Sequence, residues 1–252
     1  MKNSPKKERL DLLVLSLHPQ LSRTHVQSLI MQGKVSVDGM PVTKAGTAIS
    51  KDAVVTVDLY EPPYVSRAGI KLAAVLDHFH LAPEGMVCMD AGLSTGGFTD
   101  CLLQRGAKKV YGIDVGYGQV HEKIRADKRV VVMEKTNLRH VTALPEPIDM
   151  VTLDLSFISV LKVIDAVRQV LKKNGTLIVL IKPQFEATKK DVGAGGIVSD
   201  TTVHERVIQE VVSGLTAKGF SCNGVIPSPI EGTMGNKEFL AYFTYQQSAH
   251  PE

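Results

Sequence analysis

The sequence predicts an α/β protein: a doubly wound sheet domain preceded by a small α+β module. Three observations predict it. Strand and helix signals alternate from about residue 66 to residue 218. Several strand segments are apolar almost without a break, as in LIVLI at 177–181, which suits parallel strands covered on both faces. The adjacent prolines Pro62 and Pro63 favour a stiff, extended connector. The boundaries follow: residues 1–59 form the module, 60–64 a Pro-rich linker and 65–252 the large domain.

In the module, Leu12, Leu13, Leu15 and Leu17 open a short apolar helix. Ser22 is the N-cap of a second helix, on which Val26, Leu29 and Ile30 recur at helical spacing, and Gly33 stops it. Val35-Ser36-Val37 alternates as a strand, Asp38-Gly39 is a hairpin turn, and Val54–Val57 is another strand. In the large domain, strands are expected at Met86–Asp90, Lys109–Asp114, Val130–Glu134, Met150–Ser156 and Thr176–Ile181. Helices are expected at Ser66–His80, Gly97–Arg105, Ser159–Lys173 and Asp200–Lys218. The tail, Phe220–Tyr245, has two strand-like runs without a helix between them and reads as an antiparallel edge hairpin.

Composition limits the function classes. A hydrophobic fraction of 44% and a charged fraction of 22% are those of a globular protein. There is no apolar run long enough for a membrane-spanning helix, and MKNSPKKERLDLL lacks the apolar core of a signal peptide. Cys88, Cys101 and Cys222 have no metal-ligand spacing and read as small core residues. These features point to a reducing cytoplasm, with no metal and no membrane partner, and the chain is expected to be monomeric when free. Residues 1–58 carry eight Lys/Arg against five Asp/Glu, whereas the rest of the chain balances to zero. The basic start is either a polyanion-binding module or an ordinary soluble surface.

The candidate site begins at DAGLSTGGFTD (90–100), just after the first strand of the large domain. In a doubly wound sheet ligands lie beyond the carboxyl ends of the strands. Gly92 permits a tight turn there, and Gly96 and Gly97 permit close approach of ligand and helix. The spacing G-x-x-x-G-G matches neither the dinucleotide fingerprint nor a P-loop. Asp114 ends the second strand, where a carboxylate can accept hydrogen bonds from both ribose hydroxyls. Asp90 either holds a loop amide or faces a cationic ligand group. A ligand with a ribose, a positive centre and no phosphate fits, and S-adenosylmethionine (SAM) has that chemistry.

Charged residues also sit at strand ends. Asp154 ends one buried strand, Lys182 ends the next, Glu238 starts a late one, and Lys71 lies on the helix before the first. Charges entering apolar segments are costly unless paired, so the four are expected to converge in one cleft. Two lysines beside two carboxylates suit proton transfer, because a neighbouring charge and partial burial bring a lysine towards neutral-pH basicity. The nucleophile to be activated would be a weak one, such as a sugar hydroxyl.

With DVGYGQ (114–119), LDLSFIS (153–159), IKPQFE (181–186) and NKEF (236–239) added to the glycine loop, the chain resembles the TlyA-type RNA ribose methyltransferases. These are bacterial proteins with an S4 RNA-binding domain ahead of an FtsJ-like methyltransferase domain. RLDLLV, LSRTHVQSLI, GKVSVDG and KAGTAISKDAVVTV carry the S4 resemblance, and the whole spans roughly residues 8–245. The resemblance implies SAM-dependent 2′-O-methylation of cytidines in ribosomal RNA, within small or large ribosomal subunits. It implies a catalytic tetrad of Lys71, Asp154, Lys182 and Glu238. Lys182 would accept the hydroxyl proton, Lys71 and Glu238 would position and polarise, and Asp154 would orient Lys182 near the methyl sulfonium. Ser94, Thr95 and Phe98 join Asp90, Gly92, Gly96, Gly97, Asp114 and Asp154 in the implied cofactor site, where Leu93 stands in place of a smaller residue. Arg9, Arg23, Lys34, Lys44 and Arg67 are the candidate RNA-facing residues, through phosphate contact. Aromatics are scarce in the module, so shape recognition outweighs stacking there. The polar stretch 186–199 is either a loop that orders over the cleft when RNA binds or an ordinary exposed connection. Three rival functions are a membrane-damaging hemolysin, a name also given to members of this family, a non-catalytic RNA-binding factor, and the same chemistry on transfer RNA.

Overall fold

The structure, a computed structural model, describes residues 7–59 and 62–246. Tyr60 and Glu61, the first two residues of the expected linker, lie outside the described residues, and the chain divides into two compact units between residues 61 and 62.

The first unit runs β1 (Lys7–Arg9), α1 (Leu10–Leu17), α2 (Arg23–Met31), β2 (Val35–Val37), β3 (Met40–Pro41), β4 (Ala48–Ser50) and β5 (Val55–Val57). Strands β1 and β4 pair antiparallel, and β3, β2 and β5 form a second small sheet in that order. The expected signals do their work. Ser22 Oγ accepts a hydrogen bond from His25 N at 3.2 Å. Gly33 ends α2 at φ 72°, and Asp38 and Gly39 turn β2 into β3 with φ of 50° and 81°. Val26, Leu29 and Ile30 pack with Leu10, Val14, Val35 and Ile49.

One expectation is corrected. Helix α1 buries Leu10, Asp11, Leu13 and Val14, while Leu12 and Leu17 face outward. Asp11 is drawn inward by three partners. Arg9 donates to it at 2.9 and 3.0 Å, Arg23 at 3.2 Å and Gln27 at 3.1 Å. The Arg9 hydrogen bond, with those of Gln27 and Arg23, outweighs the cost of burial and holds the Asp11 carboxyl well below the usual carboxylate range.

The second unit runs α3 (Ala68–His78), β6 (Val87–Ala91), α4 (Gly97–Gln104), β7 (Lys109–Ile113), α5 (Glu122–Ala126), β8 (Val130–Met133), β9 (Ile148–Leu153), α6 (Ile164–Val170), β10 (Leu171–Ile181), α7 (Pro183–Glu186), α8 (Thr201–Ala217), β11 (Phe220–Pro227) and β12 (Phe239–Tyr245). Its seven-stranded sheet has the order β11-β12-β10-β9-β6-β7-β8. Strands β10, β9, β6, β7 and β8 are parallel, and the β11–β12 hairpin adds an antiparallel edge. Chain order reverses between β6 and β9, the position where such sheets open a crevice.

Both faces are covered. Met89, Val151 and Val179 face α6 and α8, whereas Cys88, Met150, Ile178 and Leu180 face α3 and α4. This two-sided burial is why LIVLI carries no polar residue. The expected helix at 159–173 is shorter than its pattern. A 3₁₀ turn over Val160–Lys162 precedes α6, and from Leu171 the chain is in β10, with Leu171 paired to Ile148. The β-branched Val163, Ile164, Val167 and Val170 are weak helix formers, and Asn174 with a left-handed φ of 61° turns the chain before Thr176 resumes the ladder. Cys88 and Cys101 are core residues, with burial pushing their thiols up to about 12 and about 11, but Cys222 is exposed on edge strand β11.

Candidate active site

The glycine loop leaves β6 at the crevice. Gly92 has φ 89°, and a Cβ there would lie 2.2 Å from the Asp154 carbonyl oxygen, so no other residue fits. Gly96, at φ 98°, caps α4, and a Cβ would press on Ile124. Gly97 faces the Ser66 hydroxyl, which a Cβ would meet at 2.2 Å. Leu93 does not block the cleft floor: it is buried over Gly112, where a Cβ would have no room.

A cleft of about 450 Å³ opens beyond these strand ends, bordered by Gly92, Ser94, Asp114, Asn137, Asp154 and Phe157. A smaller hollow adjoins it through Gly92, Ser94 and Asp154 and is closed by Ser66, Thr95, Gly97 and Phe98. Asp114 shapes the rim: its Oδ2 accepts from Ser94 N and its Oδ1 from Gly116 N, each at 2.7 Å. A carboxylate has further lone pairs, so this leaves Asp114 able to accept from a ligand. Glu134 steadies the same loop, accepting from Gly118 N at 2.7 Å and from Arg125 at 3.0 Å.

Asp90 sits beneath the loop rather than on the cleft wall. It is buried, with Oδ2 accepting from the Thr99 hydroxyl at 2.7 Å and Oδ1 from the Thr152 hydroxyl at 3.0 Å. It thereby ties β6, α4 and β9 together. Burial, with the Asp154 charge adding to it, pushes its carboxyl up to about 6 despite the two hydroxyl donors.

The four charged residues are brought together in two pairs. Lys71, on α3, donates to Glu238 Oε2 at 2.5 Å, and the side chains are 10% and 3% exposed. Lys182 Nζ lies 2.6 Å from Asp154 Oδ1. That contact is a close ion pair, and the same ammonium also donates to Ser156 Oγ at 3.1 Å. The strands explain the convergence. Ile181 pairs with Phe239, so Lys182 and Glu238 each extend that register by one residue. Asp154 N donates to Ala91 O, which holds Asp154 beside the glycine loop.

Sequence reasoning assigned no role to two residues here. Ser66 lines the smaller hollow, and its signal is the bare Gly97 that faces it. Phe157 is 91% exposed at the cleft, with its ring centroid 5.0 Å from that of Phe185. Its φ of 65° is strained for an aromatic residue. A large aromatic three residues after a strand-end carboxylate was the available signal.

The candidate RNA-facing residues are dispersed. Arg9 and Arg23 spend part of their guanidinium groups on Asp11, at about half exposure each. Lys34 is half-buried and Lys44 exposed in the first unit, whereas in the second Arg67 donates to the Glu231 carbonyl at 3.3 Å.

Fold and site define a doubly wound enzyme domain with a glycine-loop ligand cleft and paired lysines and carboxylates at its edge. The family model described as FtsJ-like methyltransferase matches residues 64–245, and that of the S4 domain matches residues 8–55. The 16S/23S rRNA (cytidine-2′-O)-methyltransferase TlyA of Mycobacterium tuberculosis is 42% identical over 228 residues, 89% of this chain and 85% of that protein. Hemolysin A of Brachyspira hyodysenteriae is 40% identical, over 93% of this chain and 99% of its own. A solved structure from Streptococcus thermophilus, described as a candidate hemolysin, has a TM-score of 0.74 at 37% identity, covering 97% of this chain and 90% of that one. The chain belongs to the FtsJ-like methyltransferase family, with an S4 domain ahead of the enzyme domain, and is an enzyme of that class.

Proposed function

We propose that the protein transfers a methyl group from SAM to the 2′-hydroxyl of cytidines in ribosomal RNA, presented within ribosomal subunits. The observation that carries this reading is the convergence of two lysine–carboxylate pairs, Lys71–Glu238 and Lys182–Asp154, on neighbouring strand ends beside the glycine loop. A ribose hydroxyl is a poor nucleophile, and activating it needs a positioned proton acceptor. The substrate reading rests on the relatives, among them the M. tuberculosis enzyme named for 16S/23S cytidine-2′-O methylation, and on the S4 domain match.

The cleft suits the cofactor. Asp114 would receive ribose hydroxyls, the bare Gly92 would admit the body of the ligand, and Asp154, which lines both the cleft and the smaller hollow, would face the sulfonium. Ser66, Thr95, Gly97 and Phe98 would enclose the amino-acid end. When bound, SAM supplies an electrophilic methyl group on a positive sulfur. Lys182 would take the proton from the 2′-hydroxyl, and Asp154, 2.6 Å away, would hold the ammonium that results. Lys71, fixed by Glu238, would donate to the ribose and hold its oxygen in line. Phe157, exposed at the mouth, offers a stacking face for an unstacked base. Arg9, Arg23, Lys34, Lys44 and Arg67 would meet phosphates.

The hemolysin name of the B. hyodysenteriae relative does not change this preference, because among the described residues no helix is long and apolar enough to cross a membrane. The test is methyl transfer from labelled SAM to unmethylated small and large ribosomal subunits, with nuclease mapping of the label. Label on a cytidine ribose supports the reading. Label on a base, or on neither subunit while transfer RNA is labelled, would replace it.

A further inference from the structure

A second cavity, of about 410 Å³, lies beside the candidate active site and shares Glu238 with it. Its position follows from the alternation of strand residues. Glu238 turns to Lys71 on α3, and the next residue, Phe239, turns to the other face, where its ring lies 5.6 Å from that of His204 on α8. One wall is a face of α8 presenting Thr201, His204, Glu205 and Ile208 at helical spacing. The other is the segment leaving β11, with Pro227, Ile230 and Glu231.

The lining combines two chemistries. Ile208, Ile230, Pro227 and Phe239 provide apolar surfaces for a flat ligand. Glu205 and Glu231 are exposed carboxylates, with no hydrogen-bond or ion-pair partner for their side chains among the described residues. Carboxylates repel a phosphate but accept from the exocyclic amine of a base. The cations stand at the edge: Lys237 is exposed beside Glu238, and Arg67 is held by the Glu231 carbonyl.

We propose that this cavity takes the unstacked base of a nucleotide adjacent to the methylated one, and that it prefers a base carrying an exocyclic amine. The inference rests on the ribose-methylation reading above. Apolar walls enclose the ring faces, Glu205 and Glu231 accept from the amine, and Lys237 and Arg67 meet the flanking phosphates outside. Cytosine, adenine and guanine offer the carboxylates an exocyclic amine, whereas uracil offers only its single N3–H between two carbonyl oxygens, which the carboxylates repel. Because Phe239 follows Glu238 directly, a seated base also bears on the strand that carries that carboxylate.

The test uses the full chain and unmethylated ribosomal subunits. Once the methylated nucleotide is mapped, subunits are prepared with uridine at each flanking position. Wild type is compared with Ile208→Trp, which fills the cavity, and with the exposed double variant Glu205→Gln/Glu231→Gln. At one flanking position uridine raises KM about tenfold with kcat nearly unchanged. The double Gln variant loses most of that discrimination, because an amide offers both donor and acceptor. Ile208→Trp raises KM for every subunit while SAM affinity by calorimetry stays at the wild-type value. If Ile208→Trp loses SAM affinity, it has misfolded, and the double Gln variant decides. Tolerance of uridine at every flanking position, or retained discrimination in the double Gln variant, overturns the inference and leaves the methylation reading standing. No transfer by wild type to any subunit removes both.

Discussion

Two clusters of buried charge, one in each unit, use the same ingredients differently. In the S4 unit, Asp11 is fully buried and its oxygens are filled by Arg9, Arg23 and Gln27. In the methyltransferase unit, Lys71 and Glu238 are nearly as closed, but Glu238 and the neighbouring Asp154 are each held by a single lysine, Lys71 and Lys182. A carboxylate filled by several local donors fixes a fold, whereas carboxylates each held by one lysine beside a cleft keep lone pairs for a ligand. The difference teaches that burial of charge alone does not mark a catalytic site. What marks it is capacity left over after the local partners are counted.

The comparison can be broken or sharpened by substitution. The largest effect is expected from Lys71→Ala, which strands Glu238 in the interior. Unfolding of the methyltransferase unit in urea becomes easier by about 3 kcal/mol, and methyl transfer is lost. Replacing both residues by Met and Leu restores most of the stability without the activity. Recovery of activity in that double variant would show that the pair is structural, like the Asp11 cluster.

Next comes Asp11→Ala, which costs the S4 unit about 2 kcal/mol through lost charged hydrogen bonds. Calorimetry should find SAM affinity unchanged. The folded carboxyl is held below its unfolded value, so its stabilisation is complete above the unfolded carboxylate range. It is lost as the pH falls through the folded value, and the wild-type acid transition should therefore be steeper than the variant's.

Asp90 behaves in the opposite sense. Its carboxyl is raised to about 6 in the fold, so the folded state binds the proton more tightly. Stability should fall as the pH rises from about 4 to about 6, by about 2 kcal/mol, and then level off. Denaturant titrations of Asp90→Asn at about pH 4.5 and about pH 7.5, which span most of that window, should show that slope removed. An unchanged slope would assign it to another group.

The smallest effect is expected from Phe157→Ala. Loss of one stacking face should weaken RNA binding about tenfold in a filter or fluorescence titration, with SAM affinity unaltered. Unchanged RNA binding would leave the strained, exposed ring without this explanation.

Much of this was legible in the chain, for physical reasons. LIVLI could be read as a doubly covered strand because both its faces are in fact buried. The glycines of DAGLSTGGFTD could be read because Gly92 and Gly97 have neighbours that forbid a Cβ. That Asp154 and Lys182 would meet followed from parallel strands ending on one side, and Glu238 joins them because the antiparallel β12 starts there. The rest depended on distant residues. Asp11 carried no local signal of its role, because its partners lie up to 16 residues away. Asp90 could not be placed beneath the loop without the Thr152 hydroxyl on β9. The cavity beside α8 joins residues 201–208 to residues 227–239, which no local pattern connects.

The most direct test of the central claim is single-turnover methyl transfer by Lys182→Ala, with SAM affinity measured on the same preparation. The claim is that Lys182 accepts the 2′-hydroxyl proton, with Asp154 holding the charge that forms. It predicts a rate lowered about a thousandfold, within the range for loss of a general base, and cofactor affinity close to wild type. A variant that binds SAM and RNA normally and still transfers methyl within a few-fold of wild type would contradict it.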